Sequence, residues 1–457
     1  MAIEQLESKD KADLDLKREL GTKPIGKLFP KYCIPAVLTG LFFSIQVIFD
    51  GIFLGNGVGA DALATIAVLF PYFTLITALS NLIGNGGASI CAVEIGKGNK
   101  EKAKHILGQS IAFSLAITIG ISVISFLFLP NILTILGARG EVIILAQEFM
   151  QVYLVTFPFI TTGYTIYYFA RADEQPLLAL FVLFLPPVIA IIIEYWLIFK
   201  LELGIVSSAI AVSVALAPSF LLILHFLFGK TDLRLKLSDF RMRMIDLIHI
   251  CKIGFSSCSI QLTTFIVTII VNNMLVSSGA SAYEVGAYGI INAYIYYVLG
   301  IVGYSFGIGI QPIVSYNYGY RAFDRVKSAL KYGAGWGFGI ITLILAGCYI
   351  FIGPLTSIFS GSDIEFYEVT KEVIMKYMFG LSLGTVALVI SYYYQGIEKA
   401  GKATVIAMGR SFIFLLPLLF ILSKTMGIDG IWYAFPIAEI ISCIVAVIMI
   451  RKDIAKL

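Results

Sequence analysis

The sequence predicts an all-α membrane protein with twelve transmembrane helices, in two six-helix bundles related by a pseudo-two-fold axis along the membrane normal. Of its 457 residues, 58% are hydrophobic and 14% are charged, whereas about 25% of residues are charged in soluble proteins. Most apolar segments run for about 18 residues or more, which is enough for a helix to cross a bilayer. The second half of the chain also repeats the first. Alternating strands of about 10 residues, which a membrane barrel needs, are absent.

Hydropathy predicts six spans on each side of one charged segment. The first six cover about 28–53, 62–90, 105–130, 141–170, 177–200 and 204–229. The second six cover about 250–277, 285–316, 328–353, 366–395, 402–424 and 428–450. The predicted domains are a disordered or surface-lying cytosolic tail (1–27), an N-terminal bundle (28–229), a cytosolic linker (230–249), a C-terminal bundle (250–450) and a second cytosolic tail (451–457).

The basic residues predict the orientation of these spans. Lysine and arginine are concentrated in the amino-terminal tail, in alternate loops, in the linker and after the last span, while the other loops carry isolated bases such as Arg139 and Lys200. Loops rich in lysine and arginine stay on the cytosolic side. We therefore expect a multi-pass protein of the cell membrane with both termini in the cytosol.

The internal repeat keeps one spacing through glycines and charges as well as through apolar residues. The aligned pairs, each 223 positions apart, include Asp50 with Asn273, Gly86 with Gly309, Gly96 with Gly319 and Lys104 with Lys327. Because each repeat holds six helices, both copies enter the membrane with the same polarity. A central cavity between two bundles is the expected consequence.

Composition and the scattered reactive residues exclude several classes of function. The net charge is only +4, and the six cysteines and three histidines are dispersed without a CxxC pair or a metal-ligand cluster. The sequence therefore predicts no catalytic residue, no cofactor, no firm metal site, no disulfide and no nucleic-acid partner. We expect a monomer whose partners are the lipid bilayer and a small molecule.

Acids inside the predicted spans are candidate functional residues, because a charge at the bilayer centre costs about 2.5–3.5 kcal/mol on insertion scales. Asp50 and Glu194 each lie about 25 Å along a helix that begins in the cytosol. Their carboxyl groups are therefore expected at one depth, where burial and the like charge both disfavour ionisation. The alternative is that each acid begins an outer loop, since Gly51 follows Asp50 and Lys200 follows Glu194.

Other polar residues within the spans are weaker candidates. Tyr153 either shares the pocket of these acids or only packs, and Glu439 either faces the cavity or pairs with a base such as Arg410. Gln261, Asn272 and Asn273 line the cavity or bridge helices. Glu94 is expected to be solvated, because it lies about 48 Å along its helix. The glycine clusters around Gly84 and Gly303 favour close helix packing over a phosphate-binding loop.

Several motifs resemble those of the multidrug and toxic compound extrusion (MATE) transporters, in the bacterial multidrug exporter branch. In the first half these are Pro35 with the segment 50–55, and the segment 86–104. In the second half they are the segments 311–327 and 427–439. The resemblance extends over nearly the whole chain after the tail.

The resemblance implies that Asp50 is the proton- or sodium-linked acid and that Pro35 is a bend point. Glu194 stands where the family commonly has an aspartate after an asparagine, and here the asparagine is replaced by Ala190. That departure favours protons over a preformed sodium site, although sodium at Asp50 and Glu194 stays open. The acid that one branch carries on the seventh helix is absent, so coupling is expected in the first half.

The expected activity is export of small amphipathic, cationic compounds in exchange for protons or sodium by alternating access, which would confer antibiotic resistance. The alternative is a flippase for a lipid-linked intermediate of the same superfamily, which would need a basic cavity. A membrane enzyme would need grouped nucleophiles, metal ligands or histidine–acid pairs. A passive channel is disfavoured, because two-fold repeats with single acids fit alternating access better.

Overall fold

The computed structural model describes residues 18–229, 231–360 and 364–454. Within these ranges every regular element is helical. Among the described residues, eleven helices are long and apolar enough to cross a membrane, and a bent pair raises the number to twelve if it forms one span. The prediction of an all-α membrane protein with about twelve spans is therefore confirmed. Residues 1–17 of the predicted tail lie outside the described residues, as do Lys230 of the linker and residues 455–457.

The first six spans agree with the predicted ones to within several residues. They are α1 (Ile25–Gly57), α2 (Asp61–Gly96), α3 (Lys100–Leu127), α4 (Glu141–Ala172), α5 (Pro176–Phe199) and α6 (Val206–Phe228). A short helix, Leu129–Ile135, lies between α3 and α4, and a 3-10 turn, Leu237–Phe240, lies in the segment predicted as the linker.

The other six spans differ more from the prediction. They are α7 (Met244–Ser277), α8 (Tyr297–Gly319), α9 (Phe323–Ile350), α10 (Ile364–Tyr377 and Leu381–Gly396), α11 (Ala400–Met426) and α12 (Ile428–Ile454). A helix, Ala282–Ile290, and a π turn, Ile291–Tyr296, precede α8. The two parts of α10 are bent by 45°. At this bend Gly380 lies against the backbone of α12, where a Cβ atom would be 2.5 Å from the carbonyl oxygen of Pro436.

The chain forms two compact units. Of the described residues, unit 1 contains 18–24, 34–258 and 315–321, and unit 2 contains 25–33, 259–314 and 322–454. The helices α1 and α7 therefore each contribute to both units. The change of unit within α1 falls beside Pro35, the predicted bend point. The predicted bundle boundaries at 28–229 and 250–450 stay a prediction.

In unit 1, α2 and α7 approach so closely that only glycine fits between them. A Cβ atom on Gly254 would lie 1.9 Å from the carbonyl oxygen of Leu82, and one on Gly86 would lie 2.3 Å from the carbonyl oxygen of Ile250. One turn further, the Asn85 amide donates a 2.9 Å hydrogen bond to Ser257. The glycine cluster around Gly84 thus serves close helix packing, as the sequence predicted.

The last part of the predicted tail is buried, which differs from the expected surface-lying segment. Arg18 is 5% exposed and Leu20 is fully buried in unit 1. The Arg18 guanidinium lies 3.0 Å from Asp232 and 3.5 Å from Asp173, and the Leu20 amide donates to Glu174 at 2.7 Å. Ion pairs and a backbone hydrogen bond therefore hold this segment in place, although its polar composition predicted exposure to solvent.

Glu94 also departs from its prediction. Its side chain is 4% exposed, and its carboxylate lies 2.9 Å from the Lys97 ammonium and 3.1 Å from that of Lys102. The expectation that Glu94 is solvated was wrong, because two lysines from the following turn and helix cover and neutralise it. Helix length alone does not reveal such partners.

Candidate ion-coupling site

Three helices of unit 1 bring two acids and a serine together. Asp50 lies about two turns before the end of α1, and Glu194 lies just over one turn before the end of α5. Ser208 lies in the first turn of α6, the helix that follows α5 after a short loop. The Ser208 hydroxyl donates a hydrogen bond to the Asp50 carboxylate, and Glu194 interacts with both side chains.

The Glu194 carboxyl group is buried without a donor. The residue is fully buried, and among the described residues no group donates a hydrogen bond to either of its carboxyl oxygens. Ser208 lies against both acids, but its single hydroxyl proton is donated to Asp50. A carboxylate in that position would have lost water without gaining a partner, which is strongly unfavourable. An ionised Glu194 is therefore disfavoured, and a proton or a bound cation would neutralise it.

Asp50 differs from Glu194 in its surroundings, because it is only half-buried and has a hydrogen-bond donor. The two neighbouring carboxyl groups would repel each other if both were ionised, as like charges at one site do. One proton shared between them would remove the repulsion and would give Glu194 its missing hydrogen bond. A bound monovalent cation would have the same electrostatic effect.

Two residues near this pair were missed by the sequence analysis. Ser208 is a small polar residue in a run of serines and alanines, and only its position in the fold, within hydrogen-bond distance of α1, makes it a partner of Asp50. Gln46 lies one turn before Asp50 on the same face of α1. It is 5% exposed, and its amide oxygen accepts no hydrogen bond from the described residues. The sequence signal that could have identified Gln46 is its position four residues before Asp50, an acid within a predicted span.

Aromatic rings surround the end of α1 where the acids lie. The ring of Phe53, three residues after Asp50, lies 5.7 Å from that of Tyr195 and 5.8 Å from that of Phe199. Tyr195 follows Glu194 and is 49% exposed. The Phe53–Tyr195–Phe199 cluster therefore presents accessible ring surface within one turn of Asp50 along α1.

Tyr153 lies in a different environment from the acidic pair. It is 5% exposed, and its ring lies 5.3 Å from that of Phe73 and 5.7 Å from that of Phe149. These rings belong to the hydrophobic core of unit 1, to which α2 and α4 contribute most of the residues. This placement favours the packing alternative for Tyr153 over a role beside Asp50.

Glu439 pairs with the base that the sequence analysis named as its alternative partner. The Arg410 Nε donates to both carboxyl oxygens of Glu439, at 2.6 and 2.7 Å. The Tyr296 hydroxyl donates to Glu439 at 2.7 Å and accepts from Arg410 at 3.0 Å. This triad in unit 2 has its charges balanced, unlike the acidic pair of unit 1.

The neutral candidates lie on α7. Gln261 is half-buried, while Asn272 and Asn273 are exposed. The Asn273 amide donates to the carbonyl oxygen of Ile269 at 3.0 Å, within its own helix. The structure thus brings Asp50 and Glu194 together, and it places Tyr153, Glu439 and Asn273 in other local environments. A group of three or more metal-ligating side chains is not found in the part of the chain that the structure describes.

Comparison with known proteins identifies related chains. The family described as MatE matches residues 35–196 and 253–421. The chain is 23% identical over 425 residues to the multidrug export protein MepA of Staphylococcus saprophyticus, with 92% of each chain covered.

Two solved structures show the same fold. One is an outward-facing multidrug resistance MATE family transporter of the MOP superfamily, with a TM-score of 0.89, 22% identity, and coverage of 96% of this chain and 98% of that chain. The other is a MOP superfamily transporter from Pyrococcus furiosus, with a TM-score of 0.86, 22% identity, and coverage of 96% and 97%. The latter is described as having a binding pocket of reversed polarity that suggests a different function.

Proposed function

Since this chain belongs to the MatE family of transporters, we propose that it is a secondary antiporter that exports small amphipathic organic cations. In this proposal protons drive export by alternating access, and sodium is the other coupling ion to be tested. The protein lies in the cell membrane as a monomer with both termini in the cytosol. The similarity to MepA, a multidrug export protein, supports export as the direction of transport.

One observation carries the proposal of ion coupling: Glu194 is fully buried, has no hydrogen-bond donor among the described residues, and lies beside Asp50. An ionised carboxylate in hydrocarbon is expensive, and two adjacent ones are more so. The pair therefore holds a proton or a cation, and releases it only where water or a substrate can replace it. The half-buried Asp50 is the member through which the ion enters and leaves.

Coupling requires that the ion and the substrate favour different states of the protein or compete for one site. An organic cation near the Phe53–Tyr195–Phe199 cluster would compete with the proton on Asp50, because both satisfy the same negative charge. Aromatic faces attract organic cations within about 6 Å of the ring centre. A tenfold effect of one ligand on the affinity for the other needs a coupling free energy of only about 1.4 kcal/mol.

Pro35 is proposed as the bend point of α1. Proline lacks the backbone N–H that would close one helical hydrogen bond, so helices bend there at lower cost. Its position beside the change of unit in α1, between Cys33 and Ile34, supports this role. Loss or gain of the proton on Asp50 would then act on the same helix that carries the bend.

The flippase alternative would need an available base inside the membrane. Arg410, the candidate base, is neutralised by Glu439 at 2.6 Å. The acidic pair of unit 1 instead favours a positively charged substrate. We therefore retain export of organic cations as the proposal.

The test is transport by the purified protein in liposomes under an imposed proton or sodium gradient, with a panel of organic cations. We expect a proton gradient to drive uptake, and Asp50→Asn or Glu194→Gln to abolish that dependence. Glu141→Gln, which removes an exposed acid at the start of α4, is the matched control and should transport normally.

Each alternative gives a distinct result in this assay. Drug transport by Asp50→Asn with undiminished dependence on the gradient would refute the role of the acidic pair. Transport driven only by sodium would replace the proton as coupling ion. Absence of counterflow stimulation by substrate on the opposite side would indicate a channel.

A further inference from the structure

A groove of about 480 Å³ runs along the exposed face of α9 in unit 2. Its lining includes Lys331, Tyr332, Gly335, Trp336, Gly339 and Leu343. These residues recur every three or four positions, so they lie on one side of the helix. The ion-coupling proposal does not use this face of α9.

The position of the groove along α9 matches one leaflet of a bilayer. Lys331 is the last charged residue of α9, and the helix is uncharged from there to its end at Ile350. Lys331 therefore marks the boundary between the polar and apolar parts of this helix. From Lys331 to Leu343 the helix rises about 18 Å, close to the roughly 15 Å that half of the hydrocarbon core spans.

The polar end of the groove is basic. Lys331 is exposed and lines the groove. Lys327 precedes it by four residues and so lies on the same side of the helix. Basic side chains at such a boundary extend their charged groups to the headgroup level. This end of the groove attracts an anion and repels the organic cations of the proposed transport activity.

The apolar part of the groove has an open floor and aromatic walls. A Cβ atom added to Gly335 or Gly339 would meet nothing within 4 Å, so both glycines leave a channel along the helix. Tyr332 and Trp336 are 40% and 54% exposed beside it. Phe29, in the first turns of α1, supports these walls, with its ring 6.0 Å from Tyr332 and 6.4 Å from Trp336.

We propose that this groove binds an anionic glycerophospholipid, with the phosphate at Lys331 and one acyl chain along Gly335, Gly339 and Leu343. Tyrosine and tryptophan are the aromatic residues favoured at headgroup depth, and a basic cluster there selects anionic lipids. A lipid fits both ends of the groove, because one molecule supplies the negative charge and the apolar chain. The lipid comes from the leaflet at which α9 begins.

Tryptophan fluorescence provides a direct test in the full chain. The chain has three tryptophans. Trp432 is 2% exposed, so in a Trp196→Phe background Trp336 is the accessible one. The protein is reconstituted in phosphatidylcholine vesicles that contain phosphatidylglycerol, with bromine on the acyl chains of one lipid at a time. We expect brominated phosphatidylglycerol to quench Trp336 more than an equal fraction of brominated phosphatidylcholine does.

Variants separate the headgroup contact from the chain contact. Lys331→Gln should lower the preference for phosphatidylglycerol about fivefold, the factor that corresponds to about 1 kcal/mol per basic residue, and Lys331→Arg should keep the preference. Gly335→Leu, which enters open space and so should not disturb folding, should reduce quenching by both lipids. Lys424→Gln, which removes an exposed lysine of α11, is the matched control and should change nothing.

Several results would overturn the proposal. Equal quenching by the two lipids, or an unchanged preference in Lys331→Gln, would exclude headgroup selection. Quenching that Gly335→Leu leaves intact would exclude a chain in the groove. Loss of the preference on addition of soluble glycerol phosphate would indicate a small-anion site. Trp336 protected from both lipids, with a dimer seen by mass photometry, would indicate that a second copy covers this face.

Discussion

At the scale of single residues, the two intramembrane acid clusters differ in how their charges are balanced. Glu439 has a guanidinium partner at 2.6 Å and a tyrosine hydroxyl at 2.7 Å. Glu194 is equally buried but has no described donor. A satisfied ion pair resists change, whereas an unsatisfied acid responds to a proton or cation. This contrast supports a structural role for Glu439 and a coupling role for Glu194.

Glu439→Gln should destabilise the protein strongly, because it leaves the Arg410 charge buried without a counter-charge. Breaking a buried ion pair in this way costs about 3–5 kcal/mol, which should appear as a lower Tm in detergent. The double variant Glu439→Gln with Arg410→Met should recover much of the loss. Asp429→Asn, which breaks a half-exposed pair with Lys376, should have little effect. A double variant no more stable than the single one would contradict this view.

Glu174, just beyond the end of α4, should make stability depend on pH. Burial raises its pKa above the ordinary value, although the Leu20 N–H and Arg18 oppose this shift. The folded state thus binds the Glu174 proton more tightly than the unfolded state, and stability falls as pH rises through the folded-state pKa.

Glu174→Gln keeps an acceptor for the Leu20 amide but removes the titration. We expect a higher Tm than the wild type at pH 8, and a difference that disappears towards pH ~4.3, the ordinary pKa of glutamate. The Tm difference between Glu174→Gln and the wild type is measured by thermal unfolding at a series of pH values from 8 to ~4.3. A wild type that is the more stable of the two at pH 8 would show that the charge of Glu174 stabilises the segment at Leu20.

At the scale of elements, the spacing between helices depends on individual glycines. At Gly254 the Leu82 carbonyl oxygen occupies the space that a Cβ atom would need. A Cβ atom on Gly120 in α3 would instead enter open space. Neighbouring backbone cannot move away as a flexible side chain can. The α2–α7 contact therefore depends on glycine at this position, and the exposed face of α3 does not.

Gly254→Ala should lower the Tm and the yield of folded protein, because α2 and α7 must separate to admit one methyl group. Gly120→Ala is the matched control, and it should stabilise the protein by up to about 1 kcal/mol through helix propensity. Size-exclusion profiles and thermal unfolding compare the two variants. Equal behaviour would mean that the α2–α7 contact is not tight in solution.

At the scale of the whole molecule, two sequence repeats carry unequal chemistry. Asp50 of the first half aligns with Asn273 of the second, so the acid of α1 becomes an amide in α7. Asn273 hydrogen-bonds within its own helix, whereas Asp50 takes part in a cluster with α5 and α6. The repeat therefore accounts for the shared helical plan, and the substitutions within it support the proposal that ion coupling belongs to one half.

The proposed orientation predicts the outcome of reporter fusions. A green fluorescent protein fused after the last residue should fluoresce, because both termini are proposed to be cytosolic. Alkaline phosphatase at the same site should be inactive, and alkaline phosphatase placed after Gly137, between α3 and α4, should be active. The reverse pattern would place the basic loops outside and would contradict the positive-inside assignment.

The sequence by itself predicted about twelve membrane helices and their approximate positions, and it is the basis of their proposed polarity. Hydropathy, loop charge and the repeat are properties of residues close in sequence or at a fixed spacing, so they are readable without a fold. It also singled out Asp50 and Glu194, because an acid within a long apolar run is conspicuous wherever the helix packs. The bend within α10 was missed, since it depends on how Gly380 meets α12.

Only the tertiary structure decided which side chains are partners. Ser208 beside Asp50, Arg410 on Glu439, and Arg18 between Asp173 and Asp232 join residues far apart in the sequence. Whether an intramembrane charge is balanced depends on atoms brought within about 3 Å by helix packing, which no local pattern encodes. The sequence thus located the acids in the membrane, and the packing distinguished the paired acid from the unsatisfied one.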